Sequence, residues 1–145
     1  MMAGRATGTK DWETAAFEEY RKRLRGSINI ETTYLKSGAV LEASLQKQVE
    51  AGASVICLDG DGRQYDSEAF ADLIYDGLDQ GGSKLILGVG PADGFRATFL
   101  QNKEKLSLSP LTFPHQMVRV LLAEQIYRAS QIRQGRKYHK KGKQR

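Results

Sequence analysis

Apolar positions along the amino-terminal third of the chain change their period. Trp12, Ala16, Phe17, Tyr20 and Leu24 recur three or four residues apart, and EEYRKRLR supplies the wet face, which predicts a helix ending near Gly26. In INIETTY (28–34), Ile28, Ile30 and Thr32 alternate with Asn29, Glu31 and Thr33, the period of a strand. AVLEASLQKQVEA (39–51) returns to helical spacing and is closed by Gly52. SVICLD (54–59) and KLILGV (84–89) are continuous apolar runs rich in branched side chains, the mark of strands covered on both faces. Between them DGDGR turns the chain, and Ser67 is placed to cap a third helix through Leu78. A glycine-rich turn follows, then a helix over about 92–103, a loop of hydroxyls and prolines, and a long helix over 115–134 opened by Pro114 and His115.

Helices that alternate with fully buried strands predict an α/β domain with a mostly parallel sheet flanked by helices. In such sheets ligands bind beyond the carboxyl ends of the strands. Three loops leave such ends here: after Leu58, after Val89, and around Ser107 to Thr112.

At 145 residues the chain has the length of one domain with a proper core. Its only cysteine, Cys57, excludes an internal disulfide and, inside an apolar strand, reads as core. No apolar run approaches the roughly 20 residues of a membrane helix. MMAGRATGTK lacks the apolar segment of a secretory signal; it is small, basic and free of acids, as a trimmed organelle-targeting remnant is. Residues 1–10 are therefore expected to be poorly structured, 11–135 to form the domain, and 136–145 a basic tail.

Charge sharpens the picture of that tail. Residues 128–145 hold eight of the 22 Lys and Arg and none of the 17 acids, so the preceding part has 14 bases against 17 acids, net −3. Arg133, Arg136, Lys137, Lys140 and Lys141 are candidate phosphate contacts, and Tyr138 and His139 add a stacking ring and a titratable group within the run. A solvated terminus is the plainer reading of such a run.

Other motifs exclude more than they assign. GVGPADG (88–94) spaces its third glycine one residue too far for a dinucleotide fingerprint, and Pro91 removes a backbone donor, which leaves an oxidoreductase a distant third reading. One cysteine with His115 and His139 makes no zinc set, so no metal is expected. Ser109 and His115 are near in sequence, but no G-x-S-x-G elbow surrounds a serine. On the long helix Val118, Leu121, Leu122, Ile126 and Ala129 share one side and Arg119 and Arg128 another; the apolar side fits either core or a second copy of the chain.

LSLSPLTFPHQMVRVLLAEQIYRASQI (106–132), followed by YHK, closely resembles the carboxyl end of the RlmH family of large-subunit ribosomal RNA pseudouridine N3-methyltransferases, in the SPOUT class. The resemblance covers about residues 8–141, with GTKDW before the first helix and glycine turns after Leu58 and after the 84–89 strand. It implies a carboxyl-terminal trefoil knot, an exception to the rule against knots. S-adenosylmethionine (SAM) would contact Leu58, Gly90 and the loop Leu108, Ser109, Pro110, Leu111, Thr112 and Phe113. It also implies a homodimer through the last helix, acting on the assembled ribosome, with the cofactor from one subunit and the basic tail from its partner. The expected compartment is the cytoplasm, or an organelle such as a plastid in a eukaryotic source.

Within that framework Arg128, Tyr138 and His139 are the expected catalytic residues, and Arg119, Arg133 and the tail cations the RNA contacts. His139 is the natural base near neutral pH. Two features depart from the family: no apolar strand precedes the GTK turn, and Gly90–Pro91 stands where paired glycines are usual. Both speak for the alternative, a catalytically inactive SPOUT-fold protein that binds RNA or ribosomes.

Overall fold

The computed structural model describes residues 1–4 and 11–135. Five strands and five helices alternate: β1 (Met2–Ala3), α1 (Trp12–Arg23), β2 (Tyr34–Leu35), α2 (Gly38–Glu50), β3 (Ser54–Gln64), α3 (Ser67–Gln80), β4 (Leu85–Val89), α4 (Ala97–Leu100), β5 (Glu104–Ser107) and α5 (His115–Arg133). The strands form one sheet in the order β2-β1-β4-β3-β5. Every pairing in it is parallel, as the alternation of helices and buried runs predicts.

Successive strand residues face opposite sides of the sheet. Met2, Ile56, Val89 and Leu106 pack with Leu24, Phe70, Ile74, Leu122 and Ile126, so α1, α3 and α5 cover one face. Ala3, Cys57 and Ile86 pack with Leu41, Leu45, Phe95 and Phe99, so α2 and α4 cover the other. Leu24, Leu41, Leu45 and Cys57 are fully buried. Burying such side chains is worth about 1.5–3 kcal/mol each before chain entropy is subtracted.

Several elements differ from the sequence expectation. The amino terminus, read as lacking a strand, supplies β1: Met2 and Ala3 are buried, pair with Tyr34 and Leu35 on one side, and Met2 pairs with Val89 on the other. The alternating stretch 28–33 is not a strand. Only its last residue meets the sheet, where the Met2 amide donates to the Thr33 carbonyl at 2.9 Å, and Tyr34–Leu35 alone is extended into β2. DGDGR does not end β3, which continues through Gln64. Asp66, rather than Ser67, caps α3, its carboxylate accepting from the Ala69 amide at 2.8 Å. The expected helix over 92–103 shrinks to α4, because Gly94 and Asn102 both adopt positive φ, 81° and 60°, and break the helical run at each end. β5, a short Lys- and Glu-containing strand, has no sequence signature of its own.

Candidate functional site at the carboxyl ends of the strands

Three strand ends meet at one edge of the sheet. Leu58 is opposite Val89 of β4 on one side and Leu106 of β5 on the other. The residues that follow these positions are Gly90 and the 107–113 loop, so the Leu58, Gly90 and Leu108 segments leave adjacent strands on the same side of the sheet. In an open parallel sheet the crevice beyond such strand ends is the ligand position.

The β3 side of the crevice is shaped by a bulge. Leu58 and Arg63 both pair with Leu106, so Asp59 to Gly62 loop out between them. A side chain on Gly62 would lie 2.8 Å from the Leu106 amide nitrogen and 2.9 Å from the Lys105 carbonyl carbon, so the backbones approach closely enough to demand glycine. The β4 side is held differently. The Gly94 amide donates to the Pro91 carbonyl at 2.8 Å, and the turn is tied to α2 through the buried Glu42. One Glu42 carboxylate oxygen accepts from the Arg96 backbone amide at 3.0 Å and the other from Arg96 Nε at 2.6 Å. The Pro91 ring lies against Gly38 at the start of α2. A side chain on Gly90 would press on the Phe95 ring at 3.2 Å, so Gly90 serves local packing.

The third wall is the loop before α5. The Ser107 hydroxyl donates to the Ser109 carbonyl at 3.2 Å, and the Ser109 hydroxyl accepts from the Leu111 amide at 3.0 Å, a local turn of the kind serine favours. Pro110, Leu111 and Thr112 are exposed, and Leu111, 72% accessible, is one of two large apolar side chains standing in solvent among the described residues. Pro114 precedes the first turn of α5, where a missing donor costs nothing. Ser109 and Thr112 bring hydroxyls to this loop, and Leu108 and Phe113 bring half-buried apolar side chains.

The basic candidates are distributed unevenly. Arg119 is buried: Nε donates to Thr32 Oγ1 at 3.2 Å, Nη1 donates to the Tyr34 hydroxyl at 3.0 Å and to Gln116 Oε1 at 3.1 Å, and the guanidinium sits 4.1 Å from the centre of the Phe17 ring. It bolts α1 and the 32–34 segment to α5, so it is committed to the interior rather than offered to a phosphate. Arg128 pairs with Glu124 at 3.1 Å. It lies 13 residues along α5 from His115, about 20 Å at 1.5 Å per residue. Arg133 is exposed, with its guanidinium 4.0 Å from the Tyr75 ring centre. Arg136, Lys137, Tyr138, His139, Lys140 and Lys141 lie outside the described residues.

Sequence reasoning did not find the Asp59–Gly62 bulge, the Glu42–Arg96 tie or the Arg119 network. The acid-flanked glycines of DGDGR are the one local signal for the first. The other two join residues distant in sequence, and no local pattern marks them.

A family model described as "Predicted SPOUT methyltransferase" matches residues 4–139. A ribosomal RNA large subunit methyltransferase H of Protochlamydia amoebophila is 42% identical over 129 residues, 89% of each chain. The protein of the same name from Pelobacter propionicus is 37% identical over 139 residues, 90% of this chain and 91% of its own. That from Agrobacterium fabrum is 42% identical over 113 residues, 77% of this chain and 68% of its own.

Proposed function

The chain belongs to the SPOUT methyltransferase family, and we propose that it is the SAM-dependent enzyme that methylates N3 of a pseudouridine in large-subunit (23S-type) ribosomal RNA. It acts on the assembled ribosome as a homodimer, with the segment from β5 through α5 forming the family's trefoil knot. What carries this reading is the near full-length match to relatives named ribosomal RNA large subunit methyltransferase H, on a chain whose three candidate cofactor segments leave adjacent strands. The strand whose expected absence spoke for an inactive relative is supplied by Met2–Ala3.

The crevice suits the cofactor. Leu58, Leu108 and Phe113 give apolar contact, and the Ser109 and Thr112 hydroxyls, with the backbone groups of the loop not used in the Ser107–Ser109–Leu111 turn, give polar contact, in a loop held by Pro110 and Pro114. When bound, SAM supplies an electrophilic methyl group on a sulfonium sulfur. The chain's own task is to orient the acceptor ring in line with that methyl and to accept the N3 proton, since the ring nitrogen is nucleophilic only as the anion. His139 takes that proton, Tyr138 stacks on or hydrogen-bonds the ring, and Arg128 stabilises the anion or an adjoining phosphate. Arg133, Arg136, Lys137, Lys140 and Lys141 hold the RNA backbone.

Geometry supports a site shared between two copies. α5 carries the chain from His115 to Arg133, about 27 Å at 1.5 Å per residue. His139 follows Gly135 by four residues, a reach of about 14 Å when fully extended. His139 therefore falls short of the loop that opens its own helix, which favours a partner copy with an antiparallel last helix as the one whose loop it serves. Such dimers bury the same patch on both copies. A cytoplasmic or organellar ribosome is the setting this reading requires.

The test is transfer of labelled methyl from SAM to ribosomes that lack the modification. Label in large-subunit rRNA, lost in His139→Ala, is the expected result. Transfer undiminished in that variant would remove His139 from its role. No transfer, with SAM still raising the melting temperature, would leave a folded cofactor site and point to a different RNA substrate, whereas neither signal would favour the inactive RNA-binding relative.

A further inference from the structure

The end of α1 carries a charged groove that neither the cofactor crevice nor the tail accounts for. A depression of about 460 Å³ lies between the last turns of α1 and the 25–29 segment, lined by Glu18, Arg21, Lys22, Arg25, Ser27 and Asn29, the one acid, Glu18, being paired with Arg21. Four cations fall within residues 21–25. Arg21 pairs with Glu18 at 3.5 Å and Arg23 with Glu19 at 2.9 Å, ordinary exposed pairs one turn apart on a helix. Lys22 and Arg25 are exposed and have no acidic partner among the described residues. A cation in the last turn can simply offset the helix dipole. Arg25 lies beyond that turn, and the groove adds a hydroxyl and an amide to the two spare charges.

The packing of α1 fixes where this groove points. Phe17 meets Arg119, Tyr20 meets Tyr127 with ring centres 6.0 Å apart, and the Arg23 guanidinium is 5.7 Å from the Tyr127 ring centre. Later residues of α1 meet later residues of α5, so the two helices run in the same direction. The cationic end of α1 therefore lies at the same end of the molecule as the last turn of α5, where Arg133 stacks on Tyr75 and the basic tail departs. Cations interleaved with the rings of Tyr20, Tyr127 and Tyr75 border this end, the mixture that nucleic-acid surfaces use.

We propose that the groove at the carboxyl end of α1 is a docking site for the phosphate backbone of RNA, gripped by Lys22 and Arg25 beside the nucleotide that the tail handles. The proposal rests on the reading that the acceptor is RNA and that the tail serves the partner's cofactor loop. With two copies so arranged, each α1 groove flanks the site formed with its partner. Phosphate contacts fix register without reading sequence, which suits an enzyme whose target is specified by the shape of a large particle.

The test compares the full chain with Lys22→Glu/Arg25→Glu, and with the milder Lys22→Gln/Arg25→Gln as a guard against misfolding. KM for unmodified ribosomes, kcat, SAM affinity and binding to large subunits by co-sedimentation are measured across a salt series. The expected result is a KM for ribosomes raised about tenfold or more in the Glu variant and less in the Gln variant, with kcat and SAM affinity unchanged. The salt dependence of binding should flatten by about one in log–log slope for each contact removed. Lys22→Arg/Arg25→Lys should restore KM. Wild-type KM and salt slope in the Glu variant would overturn the proposal, and so would a raised KM with an unchanged slope, which assigns the groove to a ribosomal protein. If the wild-type chain transfers no methyl, the functional reading fails on its own, and co-sedimentation still decides the groove.

Discussion

Arg119 Nη1 donates to the Tyr34 hydroxyl at 3.0 Å, joining two residues 85 positions apart and closing α5 onto the edge strand β2. The guanidinium also rests on Phe17, and its hydrogen bonds to Thr32 and Gln116 go, like that to Tyr34, to neutral oxygens. An interior cation held this way stabilises by many modest contacts, and removing it strands several polar groups at once. Arg119→Ala should lower unfolding free energy by about 2–4 kcal/mol and Tyr34→Phe by about 1 kcal/mol in urea titrations. Ribosome KM at a temperature where both variants are folded should stay near wild type. A large KM effect in Tyr34→Phe would return Arg119 to the RNA surface.

The Glu42–Arg96 tie separates two kinds of interaction in one pair. Arg96 is 73% exposed on its side chain, so the ion pair itself is screened and worth little. The bond from the Arg96 amide to the buried carboxylate is the larger part, because its loss leaves a backbone donor unsatisfied. Arg96→Ala should therefore cost under about 1 kcal/mol, and Glu42→Ala about 1–3 kcal/mol. Glu42→Ala should also weaken SAM binding by loosening the turn after β4, measurable by calorimetry. Equal losses in the two variants would show that the ion pair, and not the backbone bond, holds the turn.

Gly62 admits no side chain without moving β5. Gly62→Ala places a methyl group inside van der Waals contact of the Leu106 backbone, so either the bulge or the β3–β5 ladder must shift. A destabilisation of about 2–4 kcal/mol is expected, in the range of overpacked cores, with weaker SAM affinity even below the melting transition. Gly60→Ala, which meets no atom within 4 Å, is the control and should be nearly silent.

These cases mark what the sequence made legible. The 54–59 and 85–89 strands announce themselves because both faces are covered, so their apolar runs are unbroken. The two-residue β1 and the charged β5 do not, since pairing with a neighbouring strand, rather than composition, makes them strands. Stretch 28–33 has the alternation of a strand, but only Thr33 at its end bonds a neighbouring strand, and tertiary context overrides its period. For the candidate site, the expectation of a ligand beyond the carboxyl ends of the strands came from topology alone, whereas the role proposed for residues 108–113 came only from resemblance. The burial of Arg119 was hidden because a helical wheel distinguishes faces, not what packs against them.

Cys57 gives the protein a pH dependence of known sign. Burial in the apolar strand pushes its thiol up from 9.0 to about 11. The folded state therefore disfavours the thiolate, and the unfolded chain releases its proton first as pH rises. The corresponding stability is fully present below pH 9 and is lost between pH 9 and 11, amounting to about 2–3 kcal/mol. Cys57→Ala should flatten stability across that window. In the native protein at pH 8 a thiol reagent should react only at the rate of opening. Rapid labelling without denaturant would place Cys57 nearer the surface than the sheet allows.

The proposed sharing of a site between two copies predicts a specific outcome in mixed dimers. His139→Ala should leave SAM binding intact and abolish transfer, while Thr112→Trp, at the exposed part of the cofactor loop, should block SAM and leave the tail intact. Each variant alone is then inactive. After co-refolding in equal amounts, random pairing makes half of the dimers mixed, and each of these has one site with a sound loop from one chain and a sound tail from the other. Activity should recover to about a quarter of wild type, because one of two sites works in half of the dimers. Recovery at that level requires the tail to act across the interface. No recovery, with mixed dimers confirmed by mass, would mean that loop and tail serve the same copy. α5 would then have to break near Ala123 to bring the tail back, a change visible as lost helical signal.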